Sequence, residues 1–356
     1  MRKVAFLCVV GCLLSLTMPA QTANVINDPN LSITRFVAGG IQGSKFSVID
    51  SVGGAYGGLQ FVAELGGGKV MQVPTTTPPG GLGPVVPVAY TGMIGPDGLA
   101  GIDIDAATAD QPAATAGLYG GKMYVATVSG GAGGPIWQVQ PGGAFVQYTV
   151  PAPGSNPGTA GLHFDRTPGF AYGGFMYAAD WGGDATDQIF KVSPGGAVTA
   201  FAALPNLDPR YFAFDWTGGY GGQMWVSSCN TGQILPVSPA GVAGAPLTTL
   251  AAGVEGIAFG LGDQWFGSSM YVGNVSTGEI YRVDPNGTKF LLADLDTGAA
   301  YLQFVPAGNP YAINNLPTMY VDDGGSGVWA IYVPEPATIS LLALGGMAML
   351  RRRGRG

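Results

Sequence analysis

Short apolar runs recur along this chain, each broken by a turn centred on glycine or proline. One phrase returns almost unchanged: YGGKMYV at 119–125, YGGFMYA at 172–178 and YGGQMWV at 220–226. Looser copies are YGGLQFV at 56–62, FGSSMYV at 266–272 and NLPTMYV at 315–321. Their second aromatics, Phe61, Tyr124, Tyr177, Trp225, Tyr271 and Tyr320, lie 63, 53, 48, 46 and 49 residues apart. A period of about 50 residues suits a propeller blade and is too long for a β-helix rung.

Each unit carries further matching parts. An apolar strand precedes the phrase, as in GIDID at 101–105, GLHFD at 161–165 and YFAFD at 211–215. A second strand follows it, as in Ile136–Val139, Ile189–Val192 and Ile280–Val283. A Pro-x-Gly turn and a last short strand close the unit. Four strands joined by tight turns make one antiparallel blade, and apolar residues on both faces fit a blade packed between two neighbours. The sixth unit stops at Val333 without a fourth strand, and the segment LSITRFV at 31–37 has the pattern of the missing piece. The expectation is an all-β, six-bladed β-propeller closed by its N-terminal strand, so that few sheet edges stay open. It occupies residues 24–333, with proline-rich insertions at 74–87 and 151–157 as surface loops. These repeats broadly resemble the NHL, YVTN and gluconolactonase-like propellers, a resemblance that implies a fold and not an activity.

Both ends read as addresses. Arg2 and Lys3 precede an apolar run, Val4 to Leu16, with small residues at Ala20 and Ala23. That is the layout of a secretory signal peptide over 1–23. At the other end, Pro334, Glu335 and Pro336 precede an apolar run, Ala337 to Leu350, that ends in Arg351, Arg352, Arg353 and Arg355. From Ile331 to Leu350 the sole charge is Glu335, and about 20 residues span a hydrocarbon core about 30 Å thick. The arginines would stop on the cytoplasmic side and leave the rest outside. This tail, 334–356, resembles the PEP-CTERM sorting signal. The resemblance implies export, a transient transmembrane helix in the inner membrane, and cleavage near the triplet by an exosortase. The expected localisation is then the cell surface or the extracellular space.

Composition narrows the partners. Taking Arg2, Lys3 and the four tail arginines from 15 basic residues, and Glu335 from 22 acidic ones, leaves nine against 21. A net charge near −12 disfavours nucleic acid and anionic lipid as partners. With both tails gone, Cys229 is the remaining cysteine, so the domain is held by packing and not by an internal disulfide.

Candidate chemistry is sparse. His163 is the single histidine, which rules out a two-histidine metal site, and it sits mid-strand as a structural residue. No Gly-x-Ser-x-Gly elbow or phosphate loop is present. Asp105, Asp165 and Asp215 end the first strand of three successive blades. Aspartates there cap the following turn through backbone N–H groups. The other reading is a ring of oxygens at one channel mouth, and Ca²⁺ is the cation such a ring would take. Glu255, in VEGIAF, resembles the Glu-Gly start of gluconolactonase-like blades, and that resemblance implies a metal-holding glutamate. The family's other ligands have no recognisable counterpart. The spaced carboxylates Asp180, Asp184 and Asp187 depart from the calcium-loop pattern and read as a solvated turn. Trp181 and Trp216, both after strand ends, are the aromatics placed to meet a carbohydrate.

Two function classes follow. The first is a non-enzymatic surface or extracellular-matrix protein whose propeller binds or adheres, with polysaccharide or matrix proteins as partners beside the exosortase and secretion machinery. The second is a metal-dependent, lactonase-like hydrolase. The shortage of catalytic residues favours the first.

Overall fold

The computed structural model describes residues 25–334, apart from 38, 52, 75–85, 95–97, 110, 129–133, 152–157 and 183–184. The signal-peptide region and most of the sorting tail therefore lie outside the described residues. Among the described residues no helix is long and apolar enough to cross a membrane.

The chain begins with two short strands, β1 (Val25–Ile26) and β2 (Ser32–Val37). Blade 1 follows with β3 (Ser44–Ile49), β4 (Gln60–Glu64), β5 (Val70–Val73) and β6 (Val88–Ala89). Blade 2 is β7 (Leu99–Ile104), β8 (Met123–Thr127), β9 (Ile136–Val139) and β10 (Phe145–Thr149). Blade 3 is β11 (Gly158–Phe164), β12 (Met176–Trp181), β13 (Gln188–Val192) and β14 (Val198–Ala203). Blade 4 is β15 (Tyr211–Phe214), β16 (Met224–Ser227), β17 (Gln233–Val237) and β18 (Thr248–Thr249). Blade 5 is β19 (Val254–Phe259), β20 (Met270–Asn274), β21 (Glu279–Val283) and β22 (Lys289–Asp294). Blade 6 has β23 (Tyr301–Val305), β24 (Thr318–Asp322) and β25 (Val328–Tyr332).

Blades 1 to 4 are antiparallel meanders in chain order, and blades 5 and 6 are the same meander with an N-terminal strand added, so the expected six-bladed propeller is present. The fourth strand of blade 6 is β2, paired to β25 from Ser32↔Tyr332 to Val37↔Val328. The N-terminal closure read from the sequence is therefore the one observed. The first strands touch in circular order, and β23 returns to β3. One addition escaped the sequence pattern: β1 pairs with β22 and gives blade 5 a fifth strand.

The repeated phrase acquires a physical reason. Its two glycines both take positive φ, as at Gly173 (82°) and Gly174 (69°), a conformation that side chains with a Cβ resist. The tight turn aims the tyrosine before them into the next blade. Tyr56 Oη donates to Val139 O (2.6 Å) and accepts from Met123 N (2.6 Å), joining blade 1 to blade 2. Tyr119, Tyr172 and Tyr220 repeat the clasp around blades 2 to 5, and Tyr311 makes it from blade 6 to blade 1. Blade 5 has Phe266 in this place and no hydroxyl to offer. The second aromatics, Tyr124, Tyr177 and Tyr320 among them, are buried against neighbouring rings.

Candidate functional site at the channel mouth

All six first strands run the same way along the axis, so their starts gather at one mouth and their ends at the other. The centre between them is filled. Phe46 stacks on Tyr211 with ring centroids 5.5 Å apart, and Tyr301 meets both at 5.5 and 5.1 Å. These three rings come from blades 1, 4 and 6 and close the channel to a threading ligand.

The aspartates at the strand ends are turned away from that channel. Asp165 Oδ2 accepts from Tyr172 N (2.9 Å) and Gly174 N (3.0 Å), and its Oδ1 accepts from Thr167 N (2.9 Å) and Thr167 Oγ1 (2.6 Å). Asp215 does the same with Tyr220, Gly222 and Thr217. Asp105 Oδ2 takes Tyr119 N (2.6 Å) and Gly121 N (3.2 Å). Each carboxylate thus holds the glycine turn that aims a clasp tyrosine. The structure keeps the three in separate blades and does not converge them into a ring; among the described residues no His, Cys, Asp and Glu group is spaced to hold a metal ion.

His163 is buried edge-on to Tyr211 (4.8 Å) and Phe212 (5.4 Å). Its Nδ1 is 3.3 Å from Asp103 Oδ2, and Arg166 grips the same carboxylate with Nη1–Oδ2 of 2.7 Å and Nη2–Oδ1 of 2.9 Å. Burial alone would raise the Asp103 carboxyl, but Arg166 and His163 outweigh it and hold the group well below the usual carboxylate range. Arg166 also donates to Ile104 O (2.6 Å), Ala106 O (3.0 Å) and Gln111 Oε1 (3.2 Å). This network ties blade 3 to blade 2. Trp216, beside Gln111, lines a cavity of about 10 Å³, room for roughly one water.

Glu255 lies at the opposite, strand-start mouth in a cluster of its own. Arg210, just before β15, donates Nη1 to Glu255 Oε1 (2.9 Å) and Nε to Asp208 Oδ2 (2.8 Å). Its guanidinium lies over the Trp181 ring, 4.6 Å from the centroid. The Arg210 carbonyl is held by Gly161 N (2.8 Å) of the neighbouring first strand. Glycine suits position 161, because a Cβ there would crowd that carbonyl at 3.0 Å and Tyr211 at 3.2 Å. Asp208 N donates to Asp187 Oδ2 (2.8 Å), and Asp208 Oδ1 accepts from Gly182 N (3.3 Å). Burial raises the Asp208 carboxyl; Arg210 opposes this and Asp187 adds to it. Burial would lower the Arg210 guanidinium, but Asp208, Cys229 and Glu255 raise it, so it stays charged. Its side chain is 26% exposed, and Glu255 is 1% exposed.

The remaining candidates sort by place. Cys229 is half-buried at this mouth and outside any disulfide, and its N–H donates to Asp208 O (3.1 Å). Asp180 is buried and Asp184 lies outside the described residues. Asn274, in a glycosylation-type triplet, is fully buried and donates Nδ2 to Ala251 O and Ala252 O, both at 3.1 Å. Arg210 and Asp208 were missed from the sequence. Their signal was an Asp-Pro-Arg directly before a first strand, which no other blade repeats.

No family model and no curated protein sequence matches the chain. Solved structures do. A gluconolactonase from Xanthomonas campestris aligns at a TM-score of 0.56 and 13% identity, over 88% of this chain and 98% of that one. Virginiamycin B lyase from Staphylococcus aureus aligns at 0.52 and 11% identity, over 85% and 99%. An auxiliary nutrient binding protein from Bacteroides thetaiotaomicron aligns at 0.58 and 8% identity, over 85% and 76%. The chain is a six-bladed propeller with gluconolactonase-like structural neighbours. At these identities the likeness is one of fold, and this fold serves enzymes and binding proteins alike.

Proposed function

We propose that this chain is a non-enzymatic binding or adhesion module displayed outside the cell, with its ligand seated at the mouth formed by Trp181, Asp208, Arg210 and Glu255. The observation that carries this reading is the state of Arg210: two carboxylates and an indole hold it rigid at the rim of a channel closed by aromatic rings. A rigid rim that leaves the Trp181 indole and the Arg210 guanidinium partly exposed over buried carboxylates binds at low entropic cost, whereas a plugged channel leaves no enclosed chamber for a reaction. A partly exposed indole beside a guanidinium matches the apolar faces and hydroxyl groups of a polysaccharide. The nutrient-binding neighbours support a ligand-holding use of the fold.

The Glu-Gly resemblance favours a second reading, a lactonase-like hydrolase using a cation such as Ca²⁺ at Glu255. The residues present do not fit that ion. A bound cation would meet the Arg210 guanidinium 2.9 Å from the carboxylate it needs. The two readings separate in one experiment. Thermal melts of the domain in EDTA and in millimolar Ca²⁺ should coincide, and Trp181→Ala should weaken binding of an extracellular polysaccharide at least tenfold with its melt little changed. A melt raised by Ca²⁺ restores the hydrolase reading, and unaltered binding by Trp181→Ala removes the mouth as the ligand site.

The termini complete the proposal. The signal-peptide pattern at 1–23 and the triplet Pro334, Glu335 and Pro336 before an apolar run and Arg351–Arg353 support export, transient inner-membrane anchoring and exosortase cleavage. Intact-mass measurement of the released protein should end near the triplet. A product that retains the arginine cluster contradicts this route.

A further inference from the structure

Besides its clasp tyrosine, the joint between blade 6 and blade 1 carries a column of buried polar side chains. Asp322 in β24, Gln303 in β23, and Ser47 and Gln60 in blade 1 are each no more than 1% exposed. Neither carboxylate oxygen of Asp322 has a hydrogen-bond partner, and neither does the Gln60 side-chain amide. The nearby Ser47 hydroxyl has its proton on Gln303 Oε1 (3.1 Å). A buried carboxylate without donors is costly, whereas the neutral acid carries its own proton and is tolerated.

Among the described residues, the charges around Asp322 do not neutralise it. On its own strand's end stands Asp323, whose Oδ1 is held by Gly325 N (2.8 Å) and Gly327 N (3.0 Å) and whose Oδ2 faces Arg35 of β2 at 3.8 Å. From β23 the neighbours are Tyr301, its cross-strand partner, and Gln303; from β3 it is Ser47. In β25 it pairs with Val328. On β4 the Glu64 carboxylate is bound by Gln42 N (2.7 Å). Among these described residues no cation reaches Asp322.

We propose that the joint between blades 6 and 1 is a proton-dependent closure: Asp322 belongs to the native ring as the neutral acid, and its ionisation loosens the joint. Burial is the main cause pushing its carboxyl up to about 8 and Asp323 adds to it; the Ser47 hydroxyl would oppose this by turning its proton from Gln303 to the carboxylate. The sign follows. Below the ordinary carboxylate range both closed and open forms hold the proton, and pH has no effect. Between that range and about 8 the open form alone releases it, so opening gains about tenfold per pH unit; above, the effect saturates. The Phe46–Tyr301 contact crosses this joint, so its loosening also loosens the plug behind the mouth.

Hydrogen exchange on the full chain between pH 5 and 8, corrected for intrinsic exchange, tests this. Protection of β2, β3, β23 and β24 should fall with pH while blades 3 and 4 hold, and Asp322→Asn should flatten that dependence. Uniform loss around the ring, or the same pH dependence in Asp322→Asn, overturns the proposal. Should that variant fail to fold, carboxyl ¹³C titration of the wild-type protein decides: a midpoint near 8 supports the closure, and one in the ordinary carboxylate range ends it.

Discussion

At the residue scale, the chain places its few strong polar groups at joints. Tyr172 Oη satisfies both Met224 N and Val237 O of the following blade, and burial pushes that phenol up to about 12, so it stays protonated as a donor. Tyr172→Phe strands two buried backbone groups and should cost about 1–3 kcal/mol in urea unfolding. The converse holds at Phe266, where the ring sits 5.1 Å from Phe304 just as Tyr172 sits from Phe214. Phe266→Tyr should gain about 1 kcal/mol if the added hydroxyl completes the sixth clasp. Asp103 works differently, as the counter-ion of a wholly buried Arg166. Asp103→Ala should cost about 3–5 kcal/mol by leaving that guanidinium uncompensated. Because the folded carboxyl lies below its unfolded value, its contribution is present above about pH 4 and is lost as pH falls further. Acid melts of the wild type should therefore drop more steeply than those of Asp103→Asn.

At the element scale, β2 is the piece with the largest consequence. It brings the N-terminal segment to the last blade and completes its sheet over five paired residues on each side. β1 adds a short pairing at the rim of blade 5. Deletion through Asn30 should leave a single cooperative melt, because the ring stays closed. Deletion through Val37 exposes the β25 edge and the apolar surface of Tyr320, Val328 and Ala330 that Phe36 and Val37 help to cover, and should produce aggregation or a broadened transition. Calorimetry on the two truncations distinguishes these outcomes. The repeat of the Tyr-Gly-Gly phrase was legible as strand and turn. The role of its first tyrosine was not, since a clasp is a contact between residues about 50 positions apart.

At the scale of the whole molecule, the ring fixes six first strands side by side and so creates two unlike mouths from one repeating unit. One mouth is bound up in aspartate-held turns. The other gathers Asp208, Arg210, Glu255 and Trp181 from blades 3, 4 and 5. Period, turn glycines and apolar alternation are local properties, and they alone determined that the chain is all-β, six-bladed and closed by its N-terminal strand. The sequence also showed that charge is scarce and histidine single. Which carboxylates serve a turn, which meets an arginine and which is left unpaired was decided by tertiary structure. Asp165 and Asp322 are the same side chain at strand ends, yet one receives four hydrogen bonds and the other none. The difference is the neighbouring blade, whose position in space no local pattern encodes.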